Sequence, residues 1–149
     1  MLHDFVTTSS LQTKKLGELL AEDLRGGEVI CLAGDLGAGK TTFTQGLLKG
    51  LNIKGPYTSP TFAILKVYKV KSHKVNTQYV VYHIDAYRIN SKDLLELGFK
   101  DFAGKENSIT IIEWPEKVMR LIPAGALWIN FQWVSDKERK IDIAMSSRT

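Results

Sequence analysis

The segment Gly34-Asp35-Leu36-Gly37-Ala38-Gly39-Lys40-Thr41, followed by Thr42, has residue types and spacing suited to gripping a polyphosphate. It satisfies the pattern G-x-x-x-x-G-K-[ST] at every fixed position. A polyphosphate crowds several negative charges together. A loop can hold it only where backbone N–H groups turn inward and no Cβ blocks the approach, and Gly37 and Gly39 permit that curl. A helix starting near Lys40 would add the positive end of its dipole. Lys40 can reach the β- and γ-phosphates of ATP as a point charge, and the Thr41 hydroxyl is a hard oxygen able to take one coordination site on Mg²⁺. The bland alternative is a glycine-rich turn followed by a helix-capping threonine.

Nucleotide hydrolysis needs more than a phosphate grip. It needs a carboxylate that holds the metal and a group that places the attacking water, and in α/β sheets neighbouring strand ends supply these. Two acids stand at such ends. Asp85 closes the run from Gln78, and Glu113 closes Ile109-Thr110-Ile111-Ile112. The latter resembles a Walker B strand, with Glu where Asp is usual. Both could instead be exposed salt-bridging acids. Thr61, which follows a proline in a loop, is a candidate switch over the γ-phosphate. Trp114, beside Glu113, either covers a base or seals the site, or it packs in the core. His83 shares a strand face with Asp85, and for it packing is the expected role.

The flanking elements must position these groups. Val29-Ile30-Cys31-Leu32-Ala33, after a Gly26-Gly27 turn, reads as a buried strand. Phe43, Leu47, Leu48 and Leu51 recur at helical spacing, with Gly50 placed as the stop. Earlier, Asp4 to Thr8 reads as a short edge strand. Ser9 or Ser10 then caps a helix to about Leu24 whose buried stripe is Leu16, Leu19, Leu20 and Leu24. Thr61 to Tyr68 and Gln78 to Asp85 read as strands joined by a basic hairpin tip, Lys69 to Thr77, expected to be a solvated loop. Ser91 caps a short helix with Leu94, Leu95 and Leu97 inside and Gly98 as its stop. Pro115 opens another helical segment through about Met119. Leu127 to Val134 and Arg139 to Met145 form a final antiparallel hairpin around Ser135-Asp136-Lys137-Glu138. The fold class this implies is α/β, a P-loop NTPase-like central sheet flanked by helices, with antiparallel hairpins.

Composition agrees with a globular chain. The 149 residues suit a single P-loop ATPase domain spanning 1–149, with 44% hydrophobic and 24% charged residues. No apolar run is long enough to cross a bilayer, and the first residues lack the order of a signal peptide, so a cytoplasmic location and no membrane partner are expected. The lone Cys31 excludes an internal disulfide and reads as a small core residue. The formal charge of +4 is modest, and no dense basic patch with interleaved aromatics signals direct base reading.

Taken together, five motifs resemble one family. Gly34 to Thr42 reads GDLGAGKTT, Thr58 to Phe62 TSPTF, His83 to Arg88 HIDAYR, Leu94 to Phe99 LLELGF, and Ile112 to Glu116 IEWPE. Their order and spacing, and the chain length, are similar to the TsaE (YjeE) family of small bacterial ATPases in tRNA threonylcarbamoyladenosine synthesis. The resemblance covers about residues 9 to 145. It implies binding of ATP or ADP with Mg²⁺ and weak hydrolysis by the protein alone. It also implies assembly with TsaD and TsaB, the pair that modifies an adenosine of tRNAs reading ANN codons, with tRNA met indirectly through that complex. Carried onto this chain, Gly37, Ala38, Gly39, Lys40, Thr41 and Thr42 would bind phosphates, and Thr41 and Glu113 would ligate the metal. Ser59-Pro60-Thr61 would be the switch, Asp85 would support metal or water, Trp114 would lie near the nucleotide, and residues around Ser10 to Thr13 would approach the adenine.

Two other readings stay open. A small-molecule P-loop kinase would usually carry arginines that clamp the transferring phosphoryl group, but between the loop and the C-terminal hairpin stand only Arg88 and Arg120. A GTPase variant would usually carry Asn-Lys-x-Asp, which this sequence lacks. A partner protein using nucleotide only as a structural ligand would not need Lys40, Thr41 and Glu113 together. Beyond Lys40 there is no obvious arginine finger, so slow solo turnover is expected, with a partner supplying or ordering the missing group.

Overall fold

The computed structural model describes residues 2–57, 63–71 and 78–145. Seven strands among them make one mixed sheet: β1 (Leu2–Thr7), β2 (Val29–Gly34), β3 (Leu65–Lys71), β4 (Gln78–Asp85), β5 (Ser108–Glu113), β6 (Leu127–Trp133) and β7 (Arg139–Met145), ordered β1-β7-β6-β2-β5-β4-β3. β2 lies between β5 and β6 and is parallel to both, and β4 is parallel to β5. β3 and β7 are antiparallel to β4 and β6, and β1 is antiparallel to β7. Consequently β1, β6, β2, β5 and β4 all run the same way, and their carboxyl ends meet one edge of the sheet.

The side-chain pattern explains why the central strands are apolar throughout. β5 is buried at all of its positions. One face contributes Ile109 and Ile111, with Ile30, Leu32, Ile129 and Phe131, to a core closed by Phe43, Leu47 and Leu48 of α2 (Lys40–Gly50). The other face contributes Ile112, with Val29, Cys31 and Ile84, to a second core with Leu94, Phe99, Phe102 and Val118. These last come from α3 (Ser91–Glu96), α4 (Phe99–Phe102) and a 3₁₀ stretch, Pro115–Leu121. A strand covered on both faces needs no polar alternation. Cys31 is fully buried, and burial pushes its thiol up to about 12, so it stays a protonated core residue.

α1 (Ser10–Ala21), capped by Ser9, packs along α2 more closely than large side chains allow. A Cβ on Gly17 would lie 2.3 Å from the Phe43 carbonyl oxygen, and one on Gly46 would lie 1.9 Å from that of Lys14. The buried residues of α1 are therefore Thr13, Gly17 and Ala21. Leu16 and Leu20 are half-buried at the flank of the contact, and Leu19, expected in the stripe, is exposed. Gly46→Ala would force the two backbones apart, and overpacking of this kind costs roughly 1–3 kcal/mol. Thermal denaturation should show a melting point lower by several degrees, since 1 kcal/mol is worth about 2–4 °C in a chain of this size.

Other boundaries moved for local reasons. Gly50 is the last helical residue of α2, and the chain reverses at Asn52, whose φ is +64°. Asn90, not Ser91, caps α3 through a reciprocal pair with Asp93. α3 is so short that only Leu94 turns inward, leaving Leu95 and Leu97 exposed. Gly98, with φ at +91°, ends α3 and starts α4, an element without a signature of its own in the sequence. β3 spans Leu65–Lys71, so it runs through Lys69, Val70 and Lys71, which were expected in the hairpin tip. Ser59, Pro60 and Thr61 lie outside the described residues, as do 72–77 of the hairpin tip.

Candidate functional site

β2 ends at Gly34, and the chain curls through Gly37 and Gly39 before α2 begins at Lys40. Gly37 and Gly39 have φ at +79° and +105°, and a Cβ on Gly37 would meet nothing within 4 Å, so the loop backbone faces open space there. The amino end of α2 has no side-chain cap. Its first N–H groups are left for whatever enters, an arrangement suited to an anion. α1 and α3 instead have their starts closed by Ser9 and Asn90.

A cavity of about 640 Å³ opens over this loop. Gly37, Gly39, Lys40, Thr41 and Thr42 line its floor, and Asp85, Glu113 and Trp114 one wall. Ala38 turns its methyl into the core and offers only backbone. Of the opposite wall only the stretch around Ser10 to Thr13 was expected at the site from the sequence. That wall consists of Thr8 and Ser9 after β1, Ser10 and Thr13 of α1, and Asp136, Lys137 and Arg139 of the last hairpin. The strand directions account for it, because β6, beside β2, and β1, beyond β7, both end at the same edge of the sheet as β2. Arg139 is steered by its guanidinium, which donates to the Ser135 carbonyl at 2.5 Å and the Glu138 carbonyl at 3.0 Å. The hairpin thereby places two cations, Lys137 and Arg139, at a cavity for which the sequence suggested only Lys40.

Lys40 is buried. Its Nζ donates to the Gly34 carbonyl at 2.5 Å and sits 3.6 Å from the centroid of the Trp114 ring. Burial holds its pKa below the usual lysine value, while the negative charges of Glu113, Glu116, Asp85 and Asp35 oppose that shift. Trp114 has left-handed backbone (φ +59°), the sharp corner after β5 that Pro115 then continues. Its ring also leans on Tyr87 at 5.0 Å between centroids. Trp114 thus stands against the loop lysine.

Asp85 and Glu113 are direct neighbours across the β4–β5 pairing. Asp85 accepts from the Tyr87 N–H at 3.0 Å. Glu113 is buried and its Oε2 lies 2.8 Å from His83 Nε2. His83, expected only to pack, is thus tied to the candidate metal-binding acid. The HxD spacing, which puts His83 and Asp85 on one strand face, was the sequence signal for it.

A glycine loop between a central parallel strand and a helix, opening at the carboxyl ends of the strands beside acids that end β5 and β4, defines a P-loop NTPase-like α/β protein. The crystal structure of Bacillus subtilis YdiB has the same fold, with a TM-score of 0.78 and 30% identity over 99% of this chain and 87% of that one. Residues 7–141 match the family described as threonylcarbamoyl adenosine biosynthesis protein TsaE, and the chain belongs to that family. Relatives named tRNA threonylcarbamoyladenosine biosynthesis protein TsaE include one from Treponema pallidum, 34% identical over 93% of this chain and 98% of its own. Another, from Rickettsia felis, is 34% identical over 91% of this chain and 76% of its own. TsaE proteins take part in threonylcarbamoyladenosine biosynthesis on tRNA. No helix among the described residues is long and apolar enough to cross a membrane.

Proposed function

We propose that this protein binds ATP or ADP with Mg²⁺ in the cavity over the glycine loop, hydrolyses ATP slowly alone, and serves in the cytoplasm as the nucleotide-driven accessory of TsaD and TsaB in tRNA modification. The observation that carries this is the convergence of Lys40, Thr41, Asp85, Glu113 and Trp114 on one cavity at the uncapped start of α2. Its volume is within the range that encloses a nucleotide-sized ligand. The loop amides and Lys40 bind the phosphates. The opposite wall, with Lys137, Arg139 and Ser10 to Thr13, takes the nucleoside part.

The donor set suits Mg²⁺. Glu113 Oε2 is engaged by His83, while Oε1 makes no hydrogen bond among the described residues, and the Thr41 hydroxyl lines the same cavity. Thr41 and Glu113 would hold the ion, with Asp85 in support, and one or two protein oxygens completed by phosphates and water is the habit of this cation. Bound there, the ion neutralises charge on the phosphates. The chain's own part is to orient the nucleotide, keep Lys40 desolvated and aimed, and place the attacking water through Asp85, with Thr61 as the proposed switch.

Among the described residues Lys40, Lys137 and Arg139 are the cations lining the cavity, and the Arg139 guanidinium is already donated to the Ser135 and Glu138 carbonyls. Slow solo turnover follows, with TsaD and TsaB ordering or supplying the missing group, which can be worth a thousandfold or more. The test is a pull-down with purified TsaB and TsaD, with and without ATP, and turnover measured alone and assembled. Nucleotide-dependent capture with faster turnover is expected. Failure to bind in every nucleotide state, or equal turnover alone and assembled, overturns the proposal.

A further inference from the structure

We infer that His83 is a positioning residue for Glu113, fixing which carboxylate oxygen faces the Mg-nucleotide. This rests on the proposed function above and deepens it.

The pair is built into the sheet. His83 and Asp85 share a face of β4, and Asp85 is in register with Glu113 on parallel β5, so His83 reaches Glu113 diagonally. The two side chains are only 4% and 8% exposed, with Nε2 and Oε2 2.8 Å apart. A carboxylate accepts and does not donate, so Nε2 carries the hydrogen. Nδ1 is buried and makes no hydrogen bond among the described residues. An apolar residue filling this place would avoid the cost of that orphaned nitrogen, about 1–3 kcal/mol. The polar ring therefore does something packing alone does not require.

What it does is visible in the geometry around it. With Oε2 held, rotation of the Glu113 carboxylate is stopped, and Oε1 is the oxygen left over. On the other side of the pair lies a second, small cavity of about 10 Å³ lined by Thr41, Thr44, Gln45, Tyr57, His83 and Glu113. Thr41 and Glu113, the two proposed ligands, thus share a wall with His83. Residues that orient a metal-ligating carboxylate typically alter metal affinity or activity by 10–100-fold when removed.

The experiment measures ADP affinity by calorimetry with Mg²⁺ and with EDTA in the native protein, His83→Leu and His83→Gln. The ratio of the two affinities is the coupling between metal and nucleotide. His83→Leu keeps its EDTA affinity within about twofold and loses tenfold or more of the coupling. His83→Gln, whose amide can donate to Oε2, recovers most of it. Unchanged coupling in His83→Leu, or an equal loss with and without metal, overturns the inference alone. Native protein whose binding ignores Mg²⁺ overturns the proposed function together with it. Nitrogen-15 histidine spectra of the native protein decide the matter should His83→Leu not fold. The hydrogen belongs on Nε2, and the His83 signals shift when Mg²⁺ joins the nucleotide-bound protein. A hydrogen on Nδ1 alone, or no shift, overturns the inference.

Discussion

Lys40→Ala is expected to weaken ATP binding at least a hundredfold, about 2.7 kcal/mol, in calorimetry with or without Mg²⁺. The size follows from where the ammonium sits. It is buried, donates to the Gly34 carbonyl and lies against the Trp114 ring, so little water shields it from an incoming phosphate. Removing a desolvated charge that faces an opposite one typically costs 2–5 kcal/mol. Lys40→Arg should lose nearly as much, because a planar guanidinium does not fit a seat shaped for a compact point charge between a carbonyl and a ring. The free protein should behave oppositely. Burial holds the Lys40 pKa below its usual value, which means that the fold disfavours the charge it carries. Lys40→Met should therefore melt no lower than the native chain while failing to bind. Unchanged affinity in Lys40→Ala would remove the loop as the binding site.

The architecture was legible wherever a local pattern and its tertiary use coincide. The glycine loop is one such place, since the residues that curl the backbone are those that expose it. β4, from Gln78 to Asp85, and β5, buried on both faces, are others. Failures came where the contact partner decides. Leu19 belongs to an apolar stripe by spacing, yet α1 meets α2 through Thr13, Gly17 and Ala21, and glycines at a helix contact look like helix breakers in a sequence. Half of the cavity wall was missed for a similar reason. Thr8, Asp136, Lys137 and Arg139 come from the two ends of the chain, and only the sheet order, with β1 and β6 parallel to β2, carries them to the loop. No spacing rule links residue 8 to residue 139. The HxD spacing put His83 on the face of Asp85, but its contact with Glu113 depended on the register of a parallel pair, which follows from the fold.

Glu113 should separate hydrolysis from binding. Glu113→Gln keeps the volume and can still accept from His83 Nε2–H, so it avoids the buried unpaired ring that Glu113→Ala would create. ATP hydrolysis in Mg²⁺ is expected to fall by about 10²–10³, the range for losing one well-placed electrostatic group at a reacting centre. MgATP affinity should fall by tenfold or more as the metal loses its carboxylate, yet by less than hydrolysis, because the loop amides and Lys40 are untouched. Without metal the sign should reverse. The Glu113 carboxylate is one of the negative charges around Lys40, and with no cation present it repels the phosphates. In EDTA, Glu113→Gln should bind ATP at least as well as the native protein, while Lys40→Ala binds far worse. Glu113→Ala should show the same kinetic loss with a lower melting point. A variant pair in which affinity falls as steeply in EDTA as in Mg²⁺ would make Glu113 a structural residue of β5. The acid serving the metal would then have to be sought at Asp85, its neighbour across the sheet.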